Sequence, residues 1–199
     1  MSASAFYAML SRMKYIQRWA LMRNTYPENI CEHTAEVAML SHALALLTNR
    51  RFGGEVSAER CVMLALYHDV PEILTGDMPT PVKYHDDTLK NAYKQVERGA
   101  AERLLTRLPA DLRADYAAWL LPEPEDDPES RLVKAADKLS ALIKCVEELK
   151  MGNAEFSHAR DSIERGLRAM RLPAVECFLE EFLPAYSLTL DEQETGGEG

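Results

Sequence analysis

The sequence predicts an all-α protein, a single helical bundle. No stretch alternates apolar and polar residues between Asn-Gly or Asp-Gly turns, as the strands of a hairpin would. Apolar residues recur instead at helical spacing along most of the chain. A length of 199 residues is that of one domain, long enough to bury a core without disulfide staples.

The elements follow in order. A short first helix is expected over residues 5–19, with residues 20–27 as a connection. Asn29 and Glu32 read as a capping box. They open a helix to about Arg50 whose inner face is Ile30, His33, Val37, Leu40, Leu44 and Leu47, with Gly53-Gly54 as its stop. Ser57 caps a third helix, which places Cys61, Leu64, Ala65, His68 and Glu72 on one face. Pro71 lies inside that pattern and ends or kinks the helix just after His68-Asp69. Residues 76–81, GDMPTP, form a stiff loop. Helices over 87–108 and 111–121 come next, then the acidic, proline-rich connection 122–128. Ser130 caps a long helix to about Met151, ended by Gly152-Asn153. Its inner face is Leu132, Ala136, Leu139, Ile143 and Val146, with Asp137 and Ser140 beside it. One or two further helices fill 155–185. The domain spans residues 1–190, and the acidic, glycine-rich residues 191–199 are expected to be a disordered tail.

Charge narrows the function. A formal net charge of −9 argues against a nucleic-acid polymer as partner, because such surfaces need net basic patches. The distribution is uneven, however: residues 1–26 hold no Asp or Glu but do hold Arg12, Lys14, Arg18 and Arg23. A locally basic N-terminus in an acidic protein suits a small anionic ligand, with Arg12 and Lys14 themselves read as solvated surface charges. Cys31, Cys61, Cys145 and Cys177 show no CxxC spacing and read as buried free thiols in a reducing cytoplasm. No signal peptide is evident, and the longest largely apolar run, residues 37–47, is too short to span a bilayer. His42, His85 and His158 lack partners at ligand spacing. No phosphate-binding glycine loop or serine nucleophile elbow is written in the chain.

The chemistry centres on His68-Asp69, which ends an apolar helical run. A carboxylate buried there is costly unless it is paired or coordinates a metal. His33 sits on the inner face of the preceding helix, and Asp137 beside the inner face of a later one. Two imidazoles and two carboxylates thus come from three helices. Mixed nitrogen and oxygen donors suit manganese, cobalt, iron or zinc. Helical bundles build metal sites in this way, from residues that face one another across the core.

His33, His68-Asp69 and Asp137 reproduce the H…HD…D pattern of the HD-domain phosphohydrolases. The longer segment HDVPEILTGDMPTPVKY, residues 68–84, resembles the signature of the bacterial HD-domain 5′-deoxynucleotidase family, the YfbR type. QRWALMR at 17–23 and SLTLDE at 187–192 agree with it, so the resemblance covers nearly the whole chain. Pro71 departs from the signature, where a small polar residue is expected; it removes no ligand.

The resemblance implies a hydrolase that converts deoxyribonucleoside 5′-monophosphates to deoxyribonucleosides and phosphate. It implies a divalent metal, cobalt, manganese or a similar transition ion, held by His33, His68, Asp69 and Asp137. Such an ion would polarise a phosphoryl oxygen and bring bound water towards a pKa of about 7. Arg18 would bind the 5′-phosphate with forked donors, and Trp19 would wall off the sugar where ribose and deoxyribose differ. Glu72 would help to place the phosphate and handle a proton. Asp77, with Met78, Pro79 and Thr80, would close over the nucleoside. Arg18, Glu72 and Asp77 are the expected catalytic residues; His33 and Asp137 also face the substrate. A homodimer is implied as well. Two alternatives stand beside this. One is an HD hydrolase acting on another phosphate ester, such as a cyclic nucleotide or a nucleoside triphosphate; a triphosphate would need several further basic residues at the pocket, and Arg18 is the only one placed there. A non-catalytic helical interaction module would be expected to have lost ligands, and all four are present.

Overall fold

The structure, a computed structural model, describes residues 3–83, 85–121 and 126–195. Tyr84 of the signature segment, residues 122–125 of the acidic connection and residues 196–199 of the tail lie outside the described residues. The helices are α1 (Phe6–Leu10), α2 (Ile30–Phe52), α3 (Ala58–Tyr67), α4 (Glu72–Thr75), α5 (Thr80–Lys83) and α6 (Asp87–Leu105). They continue with α7 (Arg113–Leu120), α8 (Pro128–Lys150), α9 (Ser157–Ala169), α10 (Pro173–Glu181) and α11 (Leu190–Glu194). Among the described residues there is no strand, only an isolated antiparallel bridge between Gln17 and Asn29.

The chain buries two apolar clusters. The larger joins the inner faces of α2, α3, α8, α9 and α10, and includes Val37, Leu44, Ala65, Leu139 and Val175. The smaller gathers Phe6, Met13, Ile30, Val70, Ile73, Leu104 and Leu120 from the N-terminal segment, the start of α2, the turn after α3, and α6–α7. The chain crosses from one cluster to the other twice near the predicted site. Ile30 belongs to the smaller and Val37 to the larger, with His33 between; Ala65 belongs to the larger and Val70 to the smaller, with His68-Asp69 between.

Local signals explain most boundaries. Asn29 accepts from the backbone N–H of Cys31 and Glu32 while Glu32 reaches back, so the capping box forms. Gly53 ends α2 at φ 67°, a left-handed conformation that glycine takes without strain. α3 ends at Tyr67, His68-Asp69 fall in the turn that follows, and Pro71 precedes α4. The long helix is capped by Asp127 rather than Ser130: the Asp127 carboxylate accepts from the Ser130 N–H, and Pro128 takes the first helical position, where its missing N–H costs nothing.

Three expectations need correction. The first helix does not reach Trp19. It tightens to a 3-10 turn over Ser11–Tyr15, after which Ile16 is extended. The backbone of Ile16 and Arg18 then pairs with Ile30 and Glu28, so tertiary pairing overrides helix continuation. Cys31 is exposed, on the outer side of the first turn of α2, whereas Cys61, Cys145 and Cys177 are buried free thiols. The C-terminal segment is ordered through its first residues: Thr189 and Glu192 form a capping box that starts α11. Arg12 and Lys14 are exposed beside the Tyr15 ring, as expected, and His42, His85 and His158 are exposed as well.

The N-terminal segment is fastened to α8 by one buried carboxylate. Glu148, only 1% exposed, accepts from the backbone N–H of Thr25 and Tyr26, from the Thr25 hydroxyl, from Lys144 and from Asn153. Lys144, itself buried, also donates to the Tyr26 carbonyl. Burial opposes charge on Glu148, but these donors outweigh it and hold the carboxyl well below its ordinary value. Because the folded pKa is depressed, this stabilisation is complete above the unfolded-state pKa, about 4.3, and drains away as pH falls below it. Glu148→Ala would strand Lys144 and is expected to cost about 3–5 kcal/mol. Urea titrations at a series of pH values should show the loss of stability below about pH 4.3 becoming shallower in Glu148→Gln.

Candidate metal centre

α2 brings His33 to the inside of the bundle, four residues into the helix, where the spacing 30, 33, 37 keeps it on the apolar face. Its ring is 1% exposed. Nδ1 lies 2.9 Å from the Ser140 hydroxyl, which is itself 2.5 Å from Glu36 Oε2. The single hydroxyl proton of Ser140 goes to the carboxylate, so Ser140 accepts from the Nδ1–H of His33. Nε2 is thereby turned to the other side, 3.1 Å from Asp137 Oδ1 and 3.6 Å from Asp69 Oδ2.

His68 repeats the pattern. Its Nδ1–H donates to the Ala65 carbonyl at 2.6 Å, one turn back on α3. Its Nε2 is buried, makes no hydrogen bond, and lies 3.2 Å from Asp69 Oδ2. Donor atoms of His33, His68 and Asp69 all fall within 4.8 Å of one another, and Asp137 joins them through its contact with the His33 ring.

The electrostatics ask for positive charge at this point. Burial alone would lower His68 and raise Asp69; their mutual attraction overrides it, holding the imidazole above its ordinary pKa and the carboxyl below. Burial likewise opposes the outcome at His33 and Asp137, where their hydrogen bond raises the imidazole and lowers the carboxyl. Two Nε2 atoms turned towards carboxylate oxygens need positive charge among them, a proton on each imidazole or a metal ion in the protons' place. The nitrogen and oxygen donors present fit a divalent ion.

Around this point the chain sets further polar groups. Arg18 Nη1 is 3.5 Å from Asp69 Oδ2, and the guanidinium stays charged although buried, because Asp137, Asp69, Glu28 and Asp77 surround it. Glu72 is 5% exposed, with Oε2 buried and unpartnered. Burial, reinforced by the charges of Asp69 and Asp77, pushes its carboxyl up to about 9, so it carries a proton at neutral pH. Asp77 is raised as well, by burial first. It follows Gly76, whose φ of 74° lets the chain turn sharply out of α4. Met78 lines a groove of about 580 Å³ between this loop and α6, with Leu74 and Tyr93. Pro79 leads into α5, and Thr80 is its exposed first residue. The structure thus brings His33, His68, Asp69, Asp137 and Arg18 into direct contact and sets Glu72 and Asp77 within their field. It directs Met78 towards α6.

Trp19 stands beside Arg18 with φ 58°, a left-handed conformation that costs a residue with a side chain about 1–2 kcal/mol. Its ring packs on Phe156, and its Nε1–H donates to Glu28 at 2.8 Å. Sequence reasoning missed Glu28, Ser140 and Glu36. Two had a signal: Glu36 follows His33 by three residues on α2, and Ser140 follows Asp137 by three on α8, so each shares a helix face with a candidate ligand. Glu28 had none, because only the pairing of 16–18 with 28–30 brings it to the site.

A helical bundle that gathers imidazoles and carboxylates from three segments at its core is the architecture of HD-domain phosphohydrolases. The fold agrees: an HD-domain phosphohydrolase of Listeria innocua superposes with a TM-score of 0.81 at 25% identity, covering 96% of this chain and 91% of that one. The HD phosphohydrolase of cyanophage S-2L, bound to dA and one catalytic Zn2+ ion, shares the fold with a TM-score of 0.60 at 22% identity, over 92% and 98% of the two chains. Within that class, the chain belongs to the 5′-deoxynucleotidase YfbR-like family, which it matches over residues 5–186. The 5′-deoxynucleotidase YfbR of Escherichia coli is 47% identical over 192 residues, 96% of each chain.

Ser140→Ala removes the acceptor that fixes the His33 ring and leaves every candidate ligand in place. It is expected to weaken divalent-metal binding by about 10–100-fold with helical content unchanged. Calorimetric titration of metal-stripped protein, beside circular dichroism, checks this.

Proposed function

We infer that the protein is a metal-dependent 5′-deoxynucleotidase, hydrolysing deoxyribonucleoside 5′-monophosphates to deoxyribonucleosides and phosphate. The observation that carries the reading is the orphaned, buried Nε2 of His68, aimed at the point where His33 and Asp69 converge, in a chain of the 5′-deoxynucleotidase YfbR-like family. His33, His68, Asp69 and Asp137 would hold the ion. A divalent transition metal there, such as cobalt, manganese or zinc, supplies Lewis-acid catalysis of water attack on phosphorus.

The other roles belong to the chain itself. Arg18, charged and pressed against Asp69, offers its remaining guanidinium donors to phosphate oxygens; a fork of donors fits phosphate where an ammonium does not. Burial and the charges of Asp69 and Asp77 push the Glu72 carboxyl towards its neutral form, which fits a general acid or a donor to the phosphoryl group. Asp77 adds a second carboxyl of raised pKa at the mouth, where it and the loop through Met78, Pro79 and Thr80 would cover the nucleoside. Trp19 presents an indole next to the phosphate-binding Arg18. A ribose 2′-hydroxyl set against it would lose its hydration without a partner, worth about 1–3 kcal/mol, or roughly tenfold to a hundredfold in selectivity. The reading includes a cytoplasmic homodimer. Four free thiols suit a reducing compartment, and α6 leaves Val96 exposed along a groove large enough to seat side chains of a second copy.

Phosphate release from a panel of ribo- and deoxyribonucleotides tests the assignment. Deoxyribonucleoside 5′-monophosphates should exceed the matching ribonucleotides by about tenfold or more in kcat/KM, with 3′-monophosphates poor. Equal constants for a deoxy and ribo pair would move the function to a broader phosphohydrolase. Exhaustive chelation should abolish turnover and a transition metal restore it, while Asp137→Ala should lose metal affinity and keep helical content. Arg18→Lys should lose most activity although it keeps the charge.

A further inference from the structure

The indole of Trp19 has one hydrogen-bond donor, and the chain itself occupies it. Glu28 is buried at the nitrogen edge of the ring, and its Oε2 accepts from Nε1–H at 2.8 Å. The same oxygen lies 3.4 Å from Arg18 Nε, and Oε1 lies 3.4 Å from His33 Nδ1. The carboxylate is delivered there by backbone pairing: the Arg18 N–H donates to the Glu28 carbonyl, the Ile30 N–H donates to Ile16, and the Gln17–Asn29 bridge locks the register. The other contacts of Trp19 do not orient the ring in this way. Met22 and Asn24 donate to its carbonyl oxygen, which fixes backbone, and Phe156 meets the ring at 5.3 Å and 56°, an apolar contact without a directional bond.

We propose that Glu28 is a positioning residue for deoxyribose selectivity, acting by keeping the Trp19 indole N–H engaged and unavailable to a ribose 2′-hydroxyl. The proposal rests on the reading that Trp19 faces the sugar. Selectivity against ribose then needs more than an aromatic wall. An indole whose N–H is free is a hydrogen-bond donor, and a 2′-hydroxyl that found it would recover part of the hydration it lost. With Nε1–H committed to a carboxylate, a charge-assisted bond that a neutral hydroxyl competes for poorly, the wall offers carbon alone. The proximity of Oε2 to Arg18 Nε adds a second consequence: one carboxylate lies against both the indole N–H and the guanidinium, an ion pair without a hydrogen bond on the arginine side.

The experiment is a double-mutant cycle on the metal-loaded enzyme, read as the ratio of kcat/KM for a deoxyribonucleoside 5′-monophosphate over its ribo counterpart. Glu28→Ala should lower this ratio by about fivefold to tenfold, mainly through better use of the ribonucleotide, and Glu28→Gln, whose amide oxygen still accepts from the indole but without the charge, should lower it by a smaller factor. In a Trp19→Phe background, where the ring persists without its N–H, either substitution should change the ratio less than about twofold. A second readout is independent of turnover. The chain has two tryptophans, Trp19 and Trp119, so its indole N–H resonances can be assigned by Trp19→Phe. In Glu28→Ala the Trp19 resonance should shift and lose protection from solvent exchange, while that of Trp119 stays. An unchanged ratio in both Glu28 variants, or an equal fall in the Trp19→Phe background, overturns the proposal, as does an equal loss of rate for both sugars. Trp19→Ala separates the two levels. If it leaves the ratio intact, the underlying reading of Trp19 is wrong and the proposal falls with it; if it collapses the ratio while the Glu28 variants do not, the proposal alone falls.

Discussion

Lone pairs and negative charge cannot be crowded together inside a protein without a cation among them. At the centre of this bundle both imidazoles are tied at Nδ1, His33 to Ser140 and His68 to the Ala65 carbonyl, so both present Nε2 to the carboxylates of Asp69 and Asp137. The rest of the structure is arranged around that demand. α2 and α8 are the two longest helices and pack on each other, which sets His33 against Asp137. The break after α3 turns His68-Asp69 inward where a continuous helix would carry the next residues past the site. Arg18 comes from a segment with no regular structure of its own and is paired with Glu28 and with Asp69, one of the carboxylates that a metal would need. A buried cluster of this kind is costly to a fold, so stability alone does not account for it.

Glu72 and Asp69 show how one local environment splits two carboxyls. Asp69 faces the imidazoles and the guanidinium and stays ionised; Glu72, one turn later and facing Asp69 and Asp77, is pushed towards its neutral form. The acid and ligand roles proposed for them are thus separated by orientation about a single turn, and Pro71 sits between them. The substitution of Pro at this position in the signature leaves both carboxyls inside, since the turn it favours is the turn the site uses.

Much of this was legible in the sequence, for identifiable reasons. The inner face of α2 was readable because a 3-4 spacing over six positions leaves little choice of side, and His33 came with it. His68-Asp69 was readable as polar residues at the end of an apolar run. The helix over 5–19 was misjudged because propensity cannot see that Ile16 and Arg18 will find backbone partners at Ile30 and Glu28. The same pairing hid Glu28, whose neighbours in sequence say nothing about the indole it meets in space. Ser130 was chosen as a cap over Asp127 because both residue types cap well; Pro128 between them favours the earlier one. Cys31 was read as buried from its apolar company, although one step along a helix rotates a side chain by about 100°.

Three of the candidate ligands, His33, His68 and Asp69, stand where the chain passes between two separate apolar clusters. An ion at that boundary would act as a rivet between two half-cores, each with its own packing. The half built on α6 and α7 meets the site through few residues, Val70 and Ile73 among them, and supplies no candidate ligand. Substitutions can therefore accumulate in that half, and the wall of the groove beside Met78 can be recast, while the donor set stays fixed. Chains that share only 21–22% of their residues with this one still carry its fold.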